Sequence, residues 1–412
     1  MRAVRRDAMD NAVPLEAPAR IALLGNALPR LCGLATFTSH VQDALVSRFP
    51  GIVVDHYAMV DPGRSYRFPQ SVTGTIDQEE PASYRAAARQ IVASGAELLW
   101  VQHEFGIYGG PAGAWLLELL DAVDLPVVAS LHTVLEAPND DQRRVMAALT
   151  RRVARFIVMA ERARATLRHI YGVASERITV IPHGVPARRY EEPAAARARL
   201  GLERRPTILT FGLLSPGKGL EAMIAAMPTI LEQAPDALYR IVGATHPHLV
   251  AHEGEAYRER LQALAAGLGV EAHLRWDAHF LDEAALLDCI AAADVYVTPY
   301  GNPAQITSGT LSYAFGLGKP IVSTPYVHAA ELLTDGRGRL VGFGDVGGLA
   351  HAVGELLANE DARRALAHRT SREGQAMTWR HMVERCVASF EPLLSRVEAV
   401  PTASDPAEAL AA

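Results

Sequence analysis

The chain has 412 residues, 49% hydrophobic and 21% charged, a globular balance with apolar material for roughly two to three domains. Forty basic against 46 acidic residues leave a net charge of −6, which argues against the basic footprint of a nucleic-acid-binding protein. Three widely separated cysteines (Cys32, Cys289, Cys386) exclude a disulfide framework or zinc knuckle, and no apolar run reaches the roughly 18 residues of a membrane span.

The opening stretch MRAVRRDAMDNAVPLEAPAR lacks an uninterrupted apolar segment, so it does not read as a secretory signal, and a cytoplasmic protein is expected. Residues 1–18 and 398–412 are Pro/Ala-rich and polar, and disordered tails are expected there. From residue 20, short apolar runs alternate with helical patterns. The first set is RIALLGN (20–26), IVVDHYAM (52–59), ELLWVQH (97–103), PVVASLH (126–132), RFIVMA (155–160) and ITVIPHG (178–184). A charged stretch without strand character, PARRYEEPAAARARLGLERRP (186–206), follows as a connector, with the linker proper at 188–206. The second set is TILTFGLL (207–214), YRIVGA (239–244), HLRWD (273–277), VYVTPY (295–300), PIVSTPY (320–326) and GRLVGF (338–343).

Near-continuous apolar strands separated by helices indicate parallel sheets covered on both faces. The expected architecture is therefore α/β, with two doubly wound Rossmann-like domains at 19–187 and 207–377 and a ligand cleft between them. Over 378–397, Trp379, Met382, Val383, Cys386, Phe390 and Leu393 recur at helical spacing, which predicts a terminal helix able to cross back over the domain boundary.

Several strand ends carry polar groups. GNALPRLCGLATFTSHVQDAL (25–45) is not a GxGxxG fingerprint, so no dinucleotide cofactor is expected. Its Gly33 suits close approach of backbone to a ligand, and Thr36 or Thr38 could cap the next helix. His103 with Glu104, and His132 with Thr133, fall where strands give way to loops and are expected to face the cleft. His246, His248 and His252 lack an acidic partner at ligand spacing and are read as a solvated loop rather than a metal site. In LLSPGKG, Lys218 opens a helix beside Gly217 and Gly219, where a cation is unfavourable unless an anion joins it. NPAQITSGTLSYAFGLGKP (302–320) opens a second helix at Ser308, Gly309 and Thr310. Two helix N-termini and one lysine could together hold a diphosphate without metal.

In this order, LPRLCGLATFT, ASLHT, ERITVIPHGV, LLSPGKG and AADVYVTPY followed by GKPIVST resemble the retaining GT-B glycosyltransferases of family 4, over about residues 20–395. The resemblance implies a nucleotide-diphosphate sugar donor (GDP- or UDP-linked) in the C-terminal domain and a saccharide, glycan or lipid-linked acceptor against the N-terminal one. It implies hexosyl transfer (mannose or glucose type) with retention, no obligatory metal or other cofactor, and admits weak peripheral membrane contact. It places Lys218 and the backbone at Ser308, Gly309 and Thr310 on the diphosphate, His132 and Gln305 by the sugar, and Gly33 at the reaction centre. The donor base is expected against backbone of residues 278–281.

Three positions depart from the family pattern. The two glutamates of its Glu-x7-Glu motif fall on Gln305 and Tyr313, and an arginine five residues before the lysine is Leu213. The nucleoside contact at Tyr313 is thereby altered, and Gln305 offers an amide without charge. Two other readings share this architecture: a catalytically silent nucleotide-sugar-binding protein, and another enzyme such as a sugar phosphorylase or nucleotide-sugar epimerase. The epimerase would need cleft carboxylates, for which Glu104 is the candidate. Arg162, Arg164 and Arg168 form part of a basic helix interrupted by Glu161 and are read as a solvated face.

Overall fold

The computed structural model describes residues 17–394, so most of both expected tails lies outside the described residues. The first half runs β1 (Arg20–Gly25), α1 (Gly33–Arg48), β2 (Val53–Val60), β3 (Val72–Asp77), α2 (Pro81–Ser94), β4 (Leu98–His103) and α3 (Leu116–Asp121). It continues through β5 (Val127–Leu131), α4 (Asp140–Arg152), β6 (Arg155–Val158), α5 (Glu161–His169) and β7 (Ile178–Val180). The second half comprises α6 (Pro193–Arg199), β8 (Thr207–Phe211), α7 (Leu220–Gln233), β9 (Leu238–Val242), α8 (Pro247–Glu253), α9 (Ala256–Gly267), β10 (Leu274–Asp277) and α10 (Glu283–Ala292). It ends with β11 (Val295–Thr298), α11 (Gly309–Gly316), β12 (Ile321–Ser323), α12 (Val327–Leu332), β13 (Arg339–Leu340), α13 (Val346–Ala358), α14 (Glu360–Gly374) and α15 (Trp379–Leu394).

Two parallel sheets result, in the orders β3-β2-β1-β4-β5-β6-β7 and β10-β9-β8-β11-β12-β13. In each sheet the order reverses beside a central strand, between β1 and β4 in the first and between β8 and β11 in the second. Chains leave such switch points in opposite directions and open a crevice at the strand C-termini. The central strands β4, β5, β8 and β11 are buried along their whole length, which is why their sequences read as unbroken apolar runs.

Two local expectations need correction, at α8 and α1, and two features, β3 and α6, were not anticipated. Strand β3, VTGTID, was not anticipated: it is an edge strand, buried only at Ile76, and carries Gly74 where a Cβ would meet the Tyr57 ring at 2.9 Å. Residues 247–253 are helix α8, not a solvated loop. Helix α1 begins at Gly33 and not at Thr36 or Thr38, because the Cys32 thiol accepts the Ala35 amide and caps it. The connector holds helix α6, whose Arg197 donates to Asp294 at 2.6 Å and to the Ala292 carbonyl at 2.7 Å, so it is anchored to the second half.

The two halves share one apolar core. Ile21, Phe37 and Val41 of the first half join Tyr296, Phe315 and Ile321 of the second. Helix α15 completes this core on the first half, with Phe390 edge-on to Trp100 at 5.1 Å. The chain crosses between the halves twice at one place. Val185 donates to the Met377 carbonyl at 2.9 Å and Trp379 donates back to the Val185 carbonyl at 3.0 Å. The Trp379 ring lies on Gly184, where a Cβ would stand 2.0 Å from it. Gly184→Ala should therefore cost about 1–3 kcal/mol by forcing the ring out of a buried site, measured by urea unfolding. A change below about 0.5 kcal/mol would mean that the crossing is not tightly packed.

Candidate functional site

The loops at the two switch points face each other and enclose a cleft. One chamber, about 440 Å³, is lined by Gly33 and Phe37 from α1, by Lys218, and by Gln305 and Ser308–Thr310. A second, about 460 Å³, continues towards Leu28, Pro29, His279–Glu283 and Val242. The two share Thr36, Phe211, Gly212, Phe280, Leu286 and Tyr313, so they are parts of one space.

The first chamber has a built cationic pole. Gly219 adopts φ +63 to start α7, and a Cβ there would strike the Pro299 carbonyl at 1.9 Å, so only glycine fits this turn. The turn before it sets Lys218 against Tyr300, with Nζ donating to the phenol at 3.0 Å and lying 4.2 Å from the ring centroid. The Tyr300 oxygen is 2.8 Å from Thr310 Oγ1, which is 3.2 Å from Ser308 Oγ. Burial pushes the Tyr300 phenol up, but Lys218 and Thr310 outweigh it, and its pKa lies below the ordinary value. Ser308 caps α11 by accepting the Leu311 amide, and its own amide donates to His328 Nδ1 at 2.8 Å. That leaves the Gly309 and Thr310 amides, in the first turn of α11, as donors without a protein acceptor among the described residues. Lysine and free amides at a helix N-terminus are groups that favour an anion.

Other expected residues are distributed unevenly. Gly33 lines the first chamber, and a Cβ there would meet nothing within 4 Å, so its backbone lies open to the cavity. Gln305 also lines it; its Nε2 donates to the Thr307 carbonyl at 3.1 Å. Tyr313 borders both chambers but is only 6% exposed, with its oxygen 3.3 Å from His40 Nδ1. His132 is part-buried behind the chamber wall: it packs edge-on to Phe37 at 4.6 Å, and its Nε2 is 3.2 Å from Gln102 Oε1. His103 does not face the cleft. It is fully buried among Phe105 and Tyr108 with both ring nitrogens unpaired, because β4 carries it beneath the sheet end. Glu104 binds Thr133 Oγ1 at 2.5 Å and the Phe105 amide at 2.9 Å and lies off both cavity linings, which withdraws it as a cleft carboxylate.

Tyr300 and His40 carry no site signal in the sequence, and His246, read there as part of a solvated loop, lines the first chamber together with His183. Tyr300 ends the run VYVTPY and was read as strand; its role depends on Lys218, 82 residues away. Among the described residues, no three His, Cys, Asp or Glu side chains are grouped to hold a metal ion, and no helix is long and apolar enough to cross a membrane. In the basic helix α5, Arg162 pairs with Glu136 and Arg164 with Glu161, both at 2.5 Å.

Two family models match consecutive parts of the chain. Residues 40–189 match Glycosyltransferase Family 4, and residues 194–373 match Glycosyl transferases group 1. The chain is 34% identical, over 45% of its length, to a GDP-mannose-dependent alpha-(1-6)-phosphatidylinositol monomannoside mannosyltransferase of Mycolicibacterium smegmatis. It is 28% identical, over 68% of its length, to a D-inositol 3-phosphate glycosyltransferase of Nocardia farcinica. It spans 48% and 64% of those two relatives. Among solved structures, HepE of Anabaena in complex with UDP superposes with a TM-score of 0.73 over 91% of this chain and all of that one, at 16% identity. WaaG, a glycosyltransferase involved in lipopolysaccharide biosynthesis, gives 0.64 over 89% of this chain and 98% of the other, at 17% identity. The two likenesses identify the fold as GT-B.

Burial fixes the titration of the histidines around this core. It lowers His56, His103 and His183 to about 4 and His328 to about 3, and lowers His132 to about 3 with help from His183 and His103. These folded-state values lie below the unfolded value near 6.5, so between about pH 6.5 and 4 the unfolded chain binds more protons. Stability is fully present above that window and falls as pH drops through it. The melting temperature should decline steeply from pH 7 to pH 4.5. His103→Leu, which removes a titrating ring and no ring hydrogen bond, should shallow the decline; equal slopes in the two proteins would contradict this assignment.

Proposed function

The chain belongs to the family 4 glycosyltransferases of GT-B fold, and from that premise we propose that it moves a hexose of mannose or glucose type from a GDP- or UDP-linked donor to a saccharide, glycan or lipid-linked acceptor. The observation that carries this reading is the cationic pole of Lys218, Tyr300, Thr310 and the open α11 amides, set across a cleft from the bare backbone of Gly33. Lys218 and the α11 amides take the diphosphate, and the apolar chamber beside His279–Glu283 takes the base. Gln305 meets the sugar through its carboxamide.

In this reading transfer proceeds with retention, without an obligatory metal and without a protein nucleophile. The bond between the anomeric carbon and the diphosphate oxygen breaks, the acceptor oxygen bonds to the same face, and its proton passes to the departing phosphate. Rate enhancement comes from holding donor and acceptor together and from stabilising the diphosphate as its charge grows. With Leu213 where the family has arginine, Lys218 and the helix N-termini carry more of that charge. Its ammonium is anchored to Tyr300, so little ordering is needed when donor binds.

A panel of nucleotide sugars read by thermal shift tests the proposal, since a ligand selective for the folded state raises the midpoint. One GDP- or UDP-hexose should raise it, and Lys218→Ala should weaken that donor about 10- to 100-fold, the worth of a charge-assisted hydrogen bond. No shift with any nucleotide or nucleotide sugar would refute the donor site.

A further inference from the structure

His183 leaves β7 for the crossing segment and reaches the cleft 7% exposed, its ring boxed by Phe37 at 5.0 Å, Trp379 at 5.4 Å and Tyr313 at 6.1 Å. Its Nδ1 lies 2.6 Å from the Gly184 carbonyl oxygen. A carbonyl only accepts, so Nδ1 carries the hydrogen, and in the neutral ring Nε2 is left as a bare acceptor. Burial keeps the ring neutral, holding its pKa down to about 4. Nε2 makes no hydrogen bond to protein among the described residues, and the ring is part of the first chamber's lining. That nitrogen points at the start of α11: a Cβ on Gly309 would lie 3.0 Å from it.

A fixed lone pair therefore borders an anion site. A phosphate oxygen there would be repelled, because it too brings only lone pairs. The group that fits must carry a hydrogen and sit next to a bound anion, which describes a sugar hydroxyl beside the diphosphate. We propose that His183 is a specificity-determining residue whose Nε2 accepts a hydrogen bond from a hydroxyl in the cleft, belonging to the transferred hexose or to the acceptor. The proposal rests on the nucleotide-sugar reading above. The crossing strands hold the ring rigid, since Val185 is bonded to Met377 and Trp379 on both sides. Gly309 is small for the same reason: any side chain there would displace the imidazole.

The test compares wild type with His183→Phe, which keeps a ring and removes the acceptor, and with His183→Gln, whose carboxamide oxygen restores one. Binding of free UDP or GDP is the control, because it engages the pole without the sugar. If the hydroxyl is the donor's, His183→Phe binds the nucleotide sugar about five- to tenfold more weakly while the free diphosphate is unaffected, and His183→Gln recovers part of the loss. If it is the acceptor's, donor binding stays level and the acceptor KM rises by that factor with kcat little changed. If His183→Phe does not fold, the same readings are taken on His183→Gln against a series of deoxy-hexose nucleotides and deoxy acceptors. One deoxy compound should lose affinity in wild type more than in the variant. Unchanged binding and KM, or a parallel loss of free diphosphate binding, would overturn the role of His183 while leaving the donor site intact. Failure of wild type to bind any nucleoside diphosphate would overturn the function and this inference together.

Discussion

The site depends on the place where the chain crosses between its halves. Val185 and Trp379 hold each other by paired backbone bonds, and the Trp379 ring closes onto Gly184. This contact sets Phe37 and His183 of the first half against Gly309 and Tyr313 of the second. An interdomain cleft is ordinarily free to open, because interfaces between domains are small and polar. Here a continuous apolar core runs from β1 and α1 through α15 to β12, beneath the base of the cleft.

On that base the proposed transfer draws on electrostatics rather than on protein acid–base groups. Carboxylates are missing from the two motif positions, yet the positive features remain: two helices begin at the second sheet's switch point, and a lysine stands between them. Tyr300 unites these parts. Its phenol receives Lys218 and touches Thr310, so the cation, the hydroxyls and the amides of α11 form one connected surface. Tyr313 answers the lost glutamate differently. It is nearly buried, and a carboxylate in its place would be desolvated among His183, His40 and Glu283, so its ring belongs as much to the packing as to the cavity.

Much of this was legible in the sequence. Unbroken apolar strands announced parallel sheets, the spacing of Trp379, Met382, Cys386 and Phe390 announced α15, and SGT after VYVTPY announced the capped N-terminus of α11. What was hidden depends on contacts between distant residues or on unusual chemistry. Cys32 caps α1 though cysteine seldom does. The edge strand β3 lacks apolar alternation because only one of its side chains is buried. His103 and His132 occupy equivalent strand ends, yet one is sealed beneath the sheet and the other is part-exposed behind Phe37, a difference that no single-sequence period encodes. Tyr300 and His183 acquire their meaning only when Lys218 and Gly309 are brought to them by the fold.

A crystal structure of the protein with UDP or GDP bound tests the central claim most directly. The account predicts phosphate oxygens within hydrogen-bonding distance of Lys218 Nζ and of the Gly309 and Thr310 amides, with the base in the chamber beside His279–Glu283. Phosphates resting instead on the first sheet's strand ends, or outside the cleft, would contradict it.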